Sequence, residues 1–435
     1  MKAKKLFCLL LVICMFFSFA GCSLFDSNNE LVSPPELTGE MYPIGKALRE
    51  SAGNDYNLKY PTTGDRRSAI VLEDVDSDGI FEAFAFYSTN EDEMTHMHIN
   101  IIRQNGDDWI SVDDLTIVAT GVEKVDFCDL NSNGTKEILI GWEVNGSSEK
   151  QLSVFSFEND KLVQKLQQPY TSFLCCDLDN NATNELFIHL LNTSEKTNKA
   201  IVYNYNQDGI AQTAGCLMDG NVKTASAPVL SALSSGQSAI YIDEIKGVGA
   251  VTEVLYLSRG ELVNPLLDTE NSFENNLTLR AASLGFSDIN NDGILEIPGA
   301  SDLPNANSDE KLYYTNWCSF NGEKLSVKLI TVVNTVDGYY LTVPNSLVGS
   351  IAVLKDIDNH KREFYFYDAA TNTLGDELFS IVAVDLNKWE NDDYDRNGMS
   401  EISRTDSTVF AARVNNLEQY KINIDEVKNI FKIME

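Results

Sequence analysis

The chain has 435 residues and a formal net charge of -32 at pH 7, because 65 Asp and Glu outnumber 33 Lys and Arg. A surface of this charge repels nucleic acid and anionic lipid headgroups, so the sequence predicts no nucleic-acid partner, and cations are its natural counterpart. Hydrophobic residues make up 43% of the chain, which is enough for a sizeable core. The length predicts about two to three domains.

The N-terminus is short, basic and apolar. Three lysines among the first five residues precede an apolar run over residues 6–19, and Ala20 and Gly21 then precede Cys22. This arrangement resembles a bacterial lipoprotein signal peptide with its lipobox, although Phe19 stands where Leu is usual. The resemblance implies that Cys22 becomes the lipidated first residue of an extracytoplasmic protein held on a bacterial membrane. The alternative, a permanent transmembrane anchor, is disfavoured by the short apolar run and the small residues after it.

A nine-residue acidic pattern occurs four times, and each copy leads into an apolar segment. Positions 1, 3, 5 and 9 carry Asp, Asn or Glu, and position 6 is Gly in three of the four copies. The candidate ligand residues of the four copies are Asp74, Asp76, Asp78, Ile80 and Glu82; Asp129, Asn131, Asn133 and Glu137; Asp177, Asp179, Asn181 and Glu185; and Asp288, Asn290, Asp292, Ile294 and Glu296. Recurrence at intervals of roughly 50 residues is typical of a propeller or another repeat array.

The spacing of these residues suits a hard cation. Calcium takes six to eight oxygen ligands, and side chains at alternate positions of a tight loop can converge on one point. Positions 1, 3, 5 and 9 would supply side-chain oxygens, position 7 a backbone carbonyl, and the glycine at position 6 would allow the turn. The sequence therefore predicts structural calcium as the cofactor. Counting carboxylates ranks the expected occupancy of the loops in the order Asp74, Asp288, Asp177 and Asp129.

The loops have a simpler alternative, in which they are Asx-turns whose Asp and Asn side chains bond their own backbone. In the first loop the crowding of four carboxylates favours a cation, since unneutralised charges would repel one another. A fifth segment, residues 393–401, fits the same template, but residues 387–392 before it are polar and no apolar strand follows it. We therefore interpret residues 393–401 as an ordinary loop.

Together the four loops resemble the calcium loops of FG-GAP or VCBS repeats, the blades of integrin-alpha-like β-propellers. The resemblance covers roughly residues 42–330 and implies a mainly β fold, with a β-propeller of about five four-stranded blades. The additional blade is expected between the third and fourth loops, with strands near residues 239–243 and 252–257. This chain departs from the pattern at Ala182, which replaces the third glycine, and in its second copy, which keeps only two carboxylates.

The repeat period breaks near residue 338. The remaining sequence predicts five strands and then a helix over residues 425–434. Residues 22–41 are polar and contain two consecutive prolines, which suits a spacer between a membrane and a folded part. The predicted divisions are a signal peptide at residues 1–21, a tether at 22–41, the propeller at 42–330 and a small α+β domain at 331–435.

These features predict a non-catalytic, membrane-anchored binding or scaffold protein whose calcium-stabilised propeller binds another protein or a glycan. The alternative is a propeller enzyme, a polysaccharide lyase or glycosidase, in which calcium would bind acidic sugar. Every cluster of carboxylates already belongs to a repeat loop, and the sequence contains no G-x-S-x-G, H-E-x-x-H or phosphate-binding motif, so we expect no enzyme and name no catalytic residue. A third interpretation, the solute receptor of a transporter, predicts two α/β lobes, which the β repeats contradict.

Overall fold

In the computed structural model the described residues are 39–89, 95–144, 150–268, 270, 273–281, 284–304, 312–391, 393–415, 420 and 422–434. The signal peptide, Cys22 and residues 22–38 of the tether lie outside these ranges, so what was predicted for them stays a prediction. None of the helices within these ranges is long and apolar enough to cross a membrane. The chain divides into two compact units, Met1–Tyr170 and Thr171–Glu435.

The fold is mainly β, as predicted, and the strands pair antiparallel within their sheets. The helical elements of the described residues are a 3-10 turn at Gly39–Met41 and the α-helices α1 (Tyr42–Ala52), α2 (Leu386–Glu390) and α3 (Ile424–Ile430). The strands of the first unit are β1 (Tyr56–Leu58), β2 (Ile70–Glu73), β3 (Glu82–Thr89), β4 (His96–Asn105), β5 (Asp108–Val118), β6 (Gly121–Cys128), β7 (Glu137–Glu143), β8 (Lys150–Glu158) and β9 (Lys161–Tyr170). The strands of the second unit are β10 (Ser172–Cys176), β11 (Glu185–Asn192), β12 (Thr197–Asn206), β13 (Gly209–Leu217), β14 (Thr224–Ala225), β15 (Val229–Ala232), β16 (Ser238–Lys246), β17 (Gly249–Ser258), β18 (Glu261–Val263), β19 (Arg280–Ala281), β20 (Ile297–Asp302), β21 (Tyr313–Phe320), β22 (Leu325–Asn334), β23 (Tyr339–Thr342), β24 (Ile351–Asp356), β25 (Lys361–Asp368), β26 (Thr373–Asp385), β27 (Ser400–Arg404), β28 (Thr408–Val414) and β29 (Phe431–Ile433).

The described part of the first unit forms two sheets and one helix. In the first sheet β3, β4 and β5 are consecutive neighbours, and β1 and β2 both pair with the other edge of β3. The second sheet has the order β6-β7-β8-β9. Helix α1 has Pro43 in its first turn and ends at Gly53, whose φ of 82° is strained for other residues. Its apolar face, with Ile44, Ala47 and Leu48, is buried on the first sheet.

The described part of the second unit forms four further sheets in chain order. The third sheet has the order β10-β11-β12-β13. In the fourth, β16, β17 and β18 are consecutive, β14 and β15 both pair with β16, and β19 pairs with β17. The fifth sheet has the order β20-β21-β22-β23-β29, and the sixth has the order β24-β25-β26-β28-β27. Antiparallel sheets of about four strands therefore recur along the chain, which is the coarse form of the predicted architecture.

Neighbouring sheets within each unit pack face to face through apolar side chains. In the first unit one core contains Phe84 from the first sheet and Phe155 from the second. In the second unit one core contains Phe187 from the third sheet and Ile242 from the fourth, and further cores join the fourth sheet to the fifth and the fifth to the sixth. Each such side chain contributes about 1.5–3 kcal/mol when it is fully buried. The sheets are therefore held mainly by the faces that they share.

The fourth sheet is the additional repeat expected between the third and fourth loops. Strands β16 and β17 cover residues 239–243 and 252–257, so the two strand predictions are confirmed. Where the other repeats carry an acidic loop, a tight turn joins β15 to β16. In this turn the Leu233 N–H donates to the Gln237 carbonyl at 2.8 Å, and Gly236 has a φ of 88°. The fourth sheet therefore has the predicted strands and a tight turn at the place of the acidic loop.

The C-terminal sequence forms the predicted strands but only part of the predicted helix. Strands β23, β24, β25, β26 and β28 overlap the five predicted strands. Helix α3 begins after Asn423, which forms a capping box with Glu426, and ends at Ile430. Residues 431–433 instead form β29, which pairs with β23 and buries Phe431. The segment predicted as one helix over residues 425–434 therefore forms a helix followed by a strand.

The last part of the chain shares a core with the strands before it. Strand β22 runs through residue 330, and β23 and β29 complete the sheet that β20, β21 and β22 begin. The core between the fifth and sixth sheets contains Tyr314 and Val332 together with Phe364 and Phe379. The sixth sheet therefore packs on the fifth as the earlier sheets of this unit pack on one another.

Candidate cation-binding loops

The four acidic loops occupy the same place in their sheets. They connect β2 to β3, β6 to β7 and β10 to β11, and the fourth lies between Ser287 and Glu296, directly before β20. In every copy the residue before the loop pairs with the position-9 glutamate. This pairing closes each loop at its base and fixes the separation of its two ends.

Backbone N–H groups hold the loops in shape. The position-6 N–H donates to the position-1 aspartate at 3.1, 2.9, 2.9 and 2.8 Å in the four loops. The position-7 N–H, which belongs to Ile80 in the first loop and Ile294 in the fourth, donates to the position-5 side chain at 2.7 to 2.9 Å. These are the bonds of Asx-turns, so the simpler alternative correctly describes the shape of the loops. A carboxylate has about four acceptor sites, so these bonds leave capacity for a cation.

Two positions of each loop adopt left-handed backbone. At position 4 the φ values are 58°, 54°, 61° and 59°, and at position 6 they are 86°, 90°, 69° and 84°. Glycine occupies position 6 in three loops, where it adopts this conformation without strain. In the third loop Ala182 adopts it, at a cost of roughly 1–2 kcal/mol. The departure from glycine seen in the sequence is therefore a strained residue in the structure.

The position-9 glutamate of each loop is buried. Glu82, Glu137, Glu185 and Glu296 are at most 1% exposed. In the first three loops the position-2 N–H donates to this carboxylate at 3.2, 2.9 and 2.8 Å. Burial raises the pKa of Glu82 and of Glu296 to about 7, and it also raises the pKa values of Glu137 and Glu185. The negative charge of the position-9 glutamate must therefore be compensated by hydrogen-bond donors or by a cation.

The residue opposite the buried glutamate differs among the repeats, and the sequence analysis did not identify it. Strand register places four residues beside the position-9 glutamates, in loop order Arg103, Ser156, Asn204 and Ser319. The distances to the glutamate Oε1 are 3.4 Å from the guanidinium, 3.3 Å from the Ser156 hydroxyl and 3.0 Å from the Asn204 amide. The hydroxyl of Ser319 makes no hydrogen bond to any described residue.

The loops differ in how well their side chains converge. Carboxylate oxygens of Asp74, Asp76 and Asp78 lie within 4.8 Å of one another, and so do those of Asp177, Asp179 and Glu185. In the second and fourth loops the position-3 amide donates to the position-9 glutamate, at 2.8 and 3.3 Å. A cation in these two loops requires that amide to turn its oxygen inward. Three acidic side chains thus converge in the first loop and in the third, and no such group of three forms in the described second and fourth loops.

The loops also bond to neighbouring sheets of the same unit. In the first unit the Lys136 N–H, from the second loop, donates to the Val75 carbonyl of the first loop at 2.8 Å. In the second unit the Ser238 hydroxyl donates to Asn180 of the third loop at 2.7 Å, and Ala232 forms an isolated bridge with Ile294 of the fourth. Each loop is therefore part of the contact between adjacent repeats.

The segment at residues 393–401 is a loop, as predicted, and it shares a left-handed residue at position 6 with the four acidic loops but not their buried glutamate. It follows α2 instead of a strand, and Asn397 and Gly398 have φ values of 41° and 75°. At its position 9, Glu401 is partly exposed and forms two bonds of 2.7 Å with Arg404. Without a buried glutamate, this loop has no uncompensated charge to neutralise.

A second polar cluster, which the sequence analysis did not identify, lies inside the fourth sheet. Glu244 on β16 and Glu253 on β17 are both fully buried. Glu253 accepts bonds from the Asp219 N–H at 3.0 Å and from Asn264 at 2.7 Å. Glu244 accepts a 2.7 Å bond from Asn198, and its Oε2 has no donor in the described region. In the sequence, the only indication of this buried pair is that an acidic residue interrupts each of two apolar strands.

The two buried carboxyl groups share one low-dielectric site. Burial, reinforced by the charge of Glu253, raises the pKa of Glu244 well above its usual range. Burial also raises the pKa of Glu253 to about 7. Because donors reach both oxygens of Glu253 and only one oxygen of Glu244, we place the shared proton on Glu244.

Comparisons with known proteins give similarity only at the level of solved structures. No family model and no curated protein matches the chain. It is similar to a rhamnogalacturonan lyase from Bacillus licheniformis, with 10% identity over 73% of this chain and 69% of that chain, at a TM-score of 0.33. A protein from Lactobacillus plantarum matches with 10% identity over 72% of this chain and 84% of that one, at 0.31. An exo-beta-1,3-galactanase from Phanerochaete chrysosporium matches with 10% identity over 76% and 79%, at 0.27.

These comparisons overturn the prediction that the chain is not an enzyme. The similar structures that are named for an activity are rhamnogalacturonan lyases and a galactanase. The prediction relied on the lack of familiar catalytic motifs, and such motifs belong to particular folds and not to polysaccharide chemistry as a whole. Their low identities and TM-scores carry no particular reaction or catalytic residue over to this chain.

The Glu244 pair predicts a pH dependence of stability. A carboxyl group whose pKa is raised on folding contributes stability that is present below about pH 4.5 and is lost as the pH rises through its folded-state pKa. Glu244→Gln keeps this site neutral at every pH. We therefore expect urea denaturation to show the variant and the wild type equally stable at pH 4, and the variant more stable at pH 8, by about 1.4 kcal/mol or more.

Glu253→Gln is the matched control for this prediction. Its new amide would direct N–H groups at the Asp219 N–H or at Asn264, so this variant should lose stability at both pH values. If Glu244→Gln were no more stable than the wild type at pH 8, Glu244 would not be the protonated member of the pair.

Proposed function

We propose that this protein acts on polysaccharide at a bacterial surface and that calcium stabilises its acidic loops. The environment of Glu296 is the observation that supports calcium binding. This glutamate is fully buried, and no described residue makes a full hydrogen bond to its Oε2, which the Ile289 N–H only approaches. A buried polar group without a partner costs about 1–3 kcal/mol, and a cation in the loop would remove that cost. Asp288, Asp292, Glu296 and the Ile294 carbonyl would supply oxygens of the kind that calcium takes.

The third loop supports the same ligand. Asp177, Asp179 and Glu185 offer three oxygens within 4.8 Å of one another, and Asn181 lies at position 5 of the same loop. The second loop is a weaker candidate, since only Asp129 and Glu137 are carboxylates there. Calcium is the proposed ion because it accepts irregular sets of oxygen ligands, whereas magnesium demands a near-ideal octahedron.

We further propose that the recurring sheets are propeller blades of the FG-GAP or VCBS type. The proposed architecture is about five four-stranded blades followed by a small α+β part at residues 331–435. Its support is the acidic loop at the same place in four sheets, together with a fourth sheet that keeps its strands where that loop is missing. Repeats of this kind each bury a face against the next, as the shared cores of neighbouring sheets do.

The charge of this protein limits which polysaccharides it could bind. A net charge of -32 repels polyanions, so an acidic polysaccharide would approach only where bound calcium presents a positive site. A neutral polysaccharide meets no such barrier. Rhamnogalacturonan and galactan are named for the similar structures, and we take them as the first substrates to test. A lipidated Cys22 would hold the protein on the outer side of a membrane, where such polymers occur.

The calcium proposal predicts a metal-dependent stability. A site saturated at about 100 times its dissociation constant contributes about 2.7 kcal/mol, so thermal melts in calcium and in chelator should differ clearly. Glu296→Gln should lose the increment that belongs to its loop. Asp395→Asn, in the loop at residues 393–401, is the matched control and should leave the increment unchanged. Superimposable wild-type melts, with no calcium bound by calorimetry, would remove calcium from the proposal.

The polysaccharide proposal predicts that purified protein shortens rhamnogalacturonan or galactan. Size-exclusion chromatography measures the chain length, and ultraviolet absorbance detects the unsaturated sugar ends that a lyase leaves. Amylose serves as the control polymer and should stay intact. The proposal fails if neither of the first two polymers is shortened at any calcium concentration.

The anchor proposal predicts that Cys22 carries acyl chains in the mature protein. Cys22→Ala should release the protein from membranes or leave the signal peptide attached, because the residue that is cleaved and lipidated is gone. Intact-mass analysis of the wild type makes the direct check. A wild-type mass without acyl groups would exclude the anchor.

A further inference from the structure

The guanidinium of Arg103 lies over the first acidic loop. Its Nη2 is 3.3 Å from Asp76 Oδ2 and 3.4 Å from Asp78 Oδ2. Its Nε is 3.4 Å from Glu82 Oε1, an ion-pair distance without hydrogen-bond geometry. Its Nη1 is 2.5 Å from Asp160, in the turn between β8 and β9. The guanidinium thus contacts three of the four carboxylates that a metal ion in this loop would use.

A calcium ion and this guanidinium compete for the same oxygens. Calcium holds its ligands at 2.3–2.6 Å and needs at least six of them, so it would have to take Asp76, Asp78 and Glu82 away from Arg103. Arginine stays protonated in proteins, so the two cations would also repel each other. Asp160 and the ring of Phe157, whose centroid is 5.8 Å from the guanidinium carbon, hold the guanidinium from the second sheet. The donors of the first loop therefore do not fit a metal ion while Arg103 is in place.

The other loops carry a small, uncharged side chain at the position of Arg103. Ser156 and Asn204 each bond the buried glutamate of their loop and bring no charge. In the fourth loop Ser319 is 1% exposed, and neither its hydroxyl nor Glu296 Oε2 has a hydrogen-bond partner in the described part of the chain. The first loop also has two buried oxygens without a hydrogen bond from the described residues, Asp74 Oδ1 and Glu82 Oε1, but there a guanidinium lies 3.4 Å from Glu82 Oε1, whereas the fourth loop has an uncharged serine at this strand position.

We infer that Arg103 takes the place of the metal ion in the first loop, and that the residue at this strand position decides which loops bind calcium. The inference rests on the proposed function for the calcium sites of the third and fourth loops. The inference reverses the order of calcium occupancy that a count of carboxylates predicts for the loops. The loop with four carboxylates has the most negative charge to compensate, and it is the loop beside which the chain places a fixed positive charge of its own.

Calorimetric titration with calcium, after removal of metal by chelator, tests the inference. Asp76→Asn removes a predicted ligand of the first loop, and we expect it to leave the number of calcium ions bound per chain unchanged. Arg103→Ser introduces the residue found beside the second and fourth loops, and we expect one additional calcium ion per chain. Asn204→Arg is the matched exchange in the third loop, where we expect one calcium ion fewer.

The outcomes separate this inference from the proposed function. If Asp76→Asn binds one calcium ion fewer than the wild type, the first loop is already a metal site and the inference is wrong, while the proposed calcium sites stand. If the wild type binds none and Arg103→Ser binds one, the replacement of a metal ion by Arg103 stands, while the proposed calcium sites and the rule that this strand position decides which loops bind calcium both fail. Folded Arg103→Ser with no additional ion overturns the inference. Should that variant fail to fold, the Asp76→Asn titration still decides.

Discussion

The acidic repeats depend on one interaction, the compensation of the negative charge of a glutamate that is buried at the start of a strand. The position-9 glutamates are at most 1% exposed, and each lies beside a loop that carries further acidic residues. Leaving such a group charged and unpaired in a low-dielectric site costs several kcal/mol. The protein meets this cost with backbone N–H groups in three loops, with an amide or hydroxyl in three, and with a guanidinium in one. What remains uncompensated, above all at Glu296, is what makes a cation the natural completion of these loops.

The fourth sheet has no acidic loop, and it shows the same constraint met by basic side chains. The ammonium of Lys246 is 2.8 Å from Asp219, 3.0 Å from Glu274 and 3.0 Å from the Asn276 oxygen. Arg280, whose side chain is 1% exposed, pairs with Asp243 at 2.5 Å. An ammonium among three or four oxygens resembles the environment of a small metal ion. In a chain with 33 basic and 65 acidic residues, Lys246 and Arg280 are thus placed as internal counter-ions.

The features of the structure that depend on local order along the chain could be predicted from the sequence. Those that depend on strand register could not. Strands, loops and the missing loop of the fourth repeat follow from spacing along the chain, since apolar runs and turn residues are local signals. Arg103 lies 21 residues after Glu82 in the sequence, and only the pairing of β3 with β4 places them side by side. A shift of one residue would turn Arg103 to the other face of the sheet. The prediction of one helix over residues 425–434 was wrong in its last part for a related reason. Residues 431–433 form β29 only because β23 is present to pair with them.

The loops couple cation binding to the packing of neighbouring repeats. The Lys136 N–H to Val75 carbonyl bond, the Ser238 bond to Asn180 and the bridge from Ala232 to Ile294 all connect a loop to the adjacent repeat of its unit. An ion or guanidinium that fixes the loop therefore also fixes these contacts. Arg103 reaches further, because Asp160 belongs to the second sheet while Asp76 and Glu82 belong to the first repeat. Replacing a metal ion by an arginine would thus make the contact between two repeats independent of the calcium supply, whereas the contacts of the third and fourth loops would still respond to it.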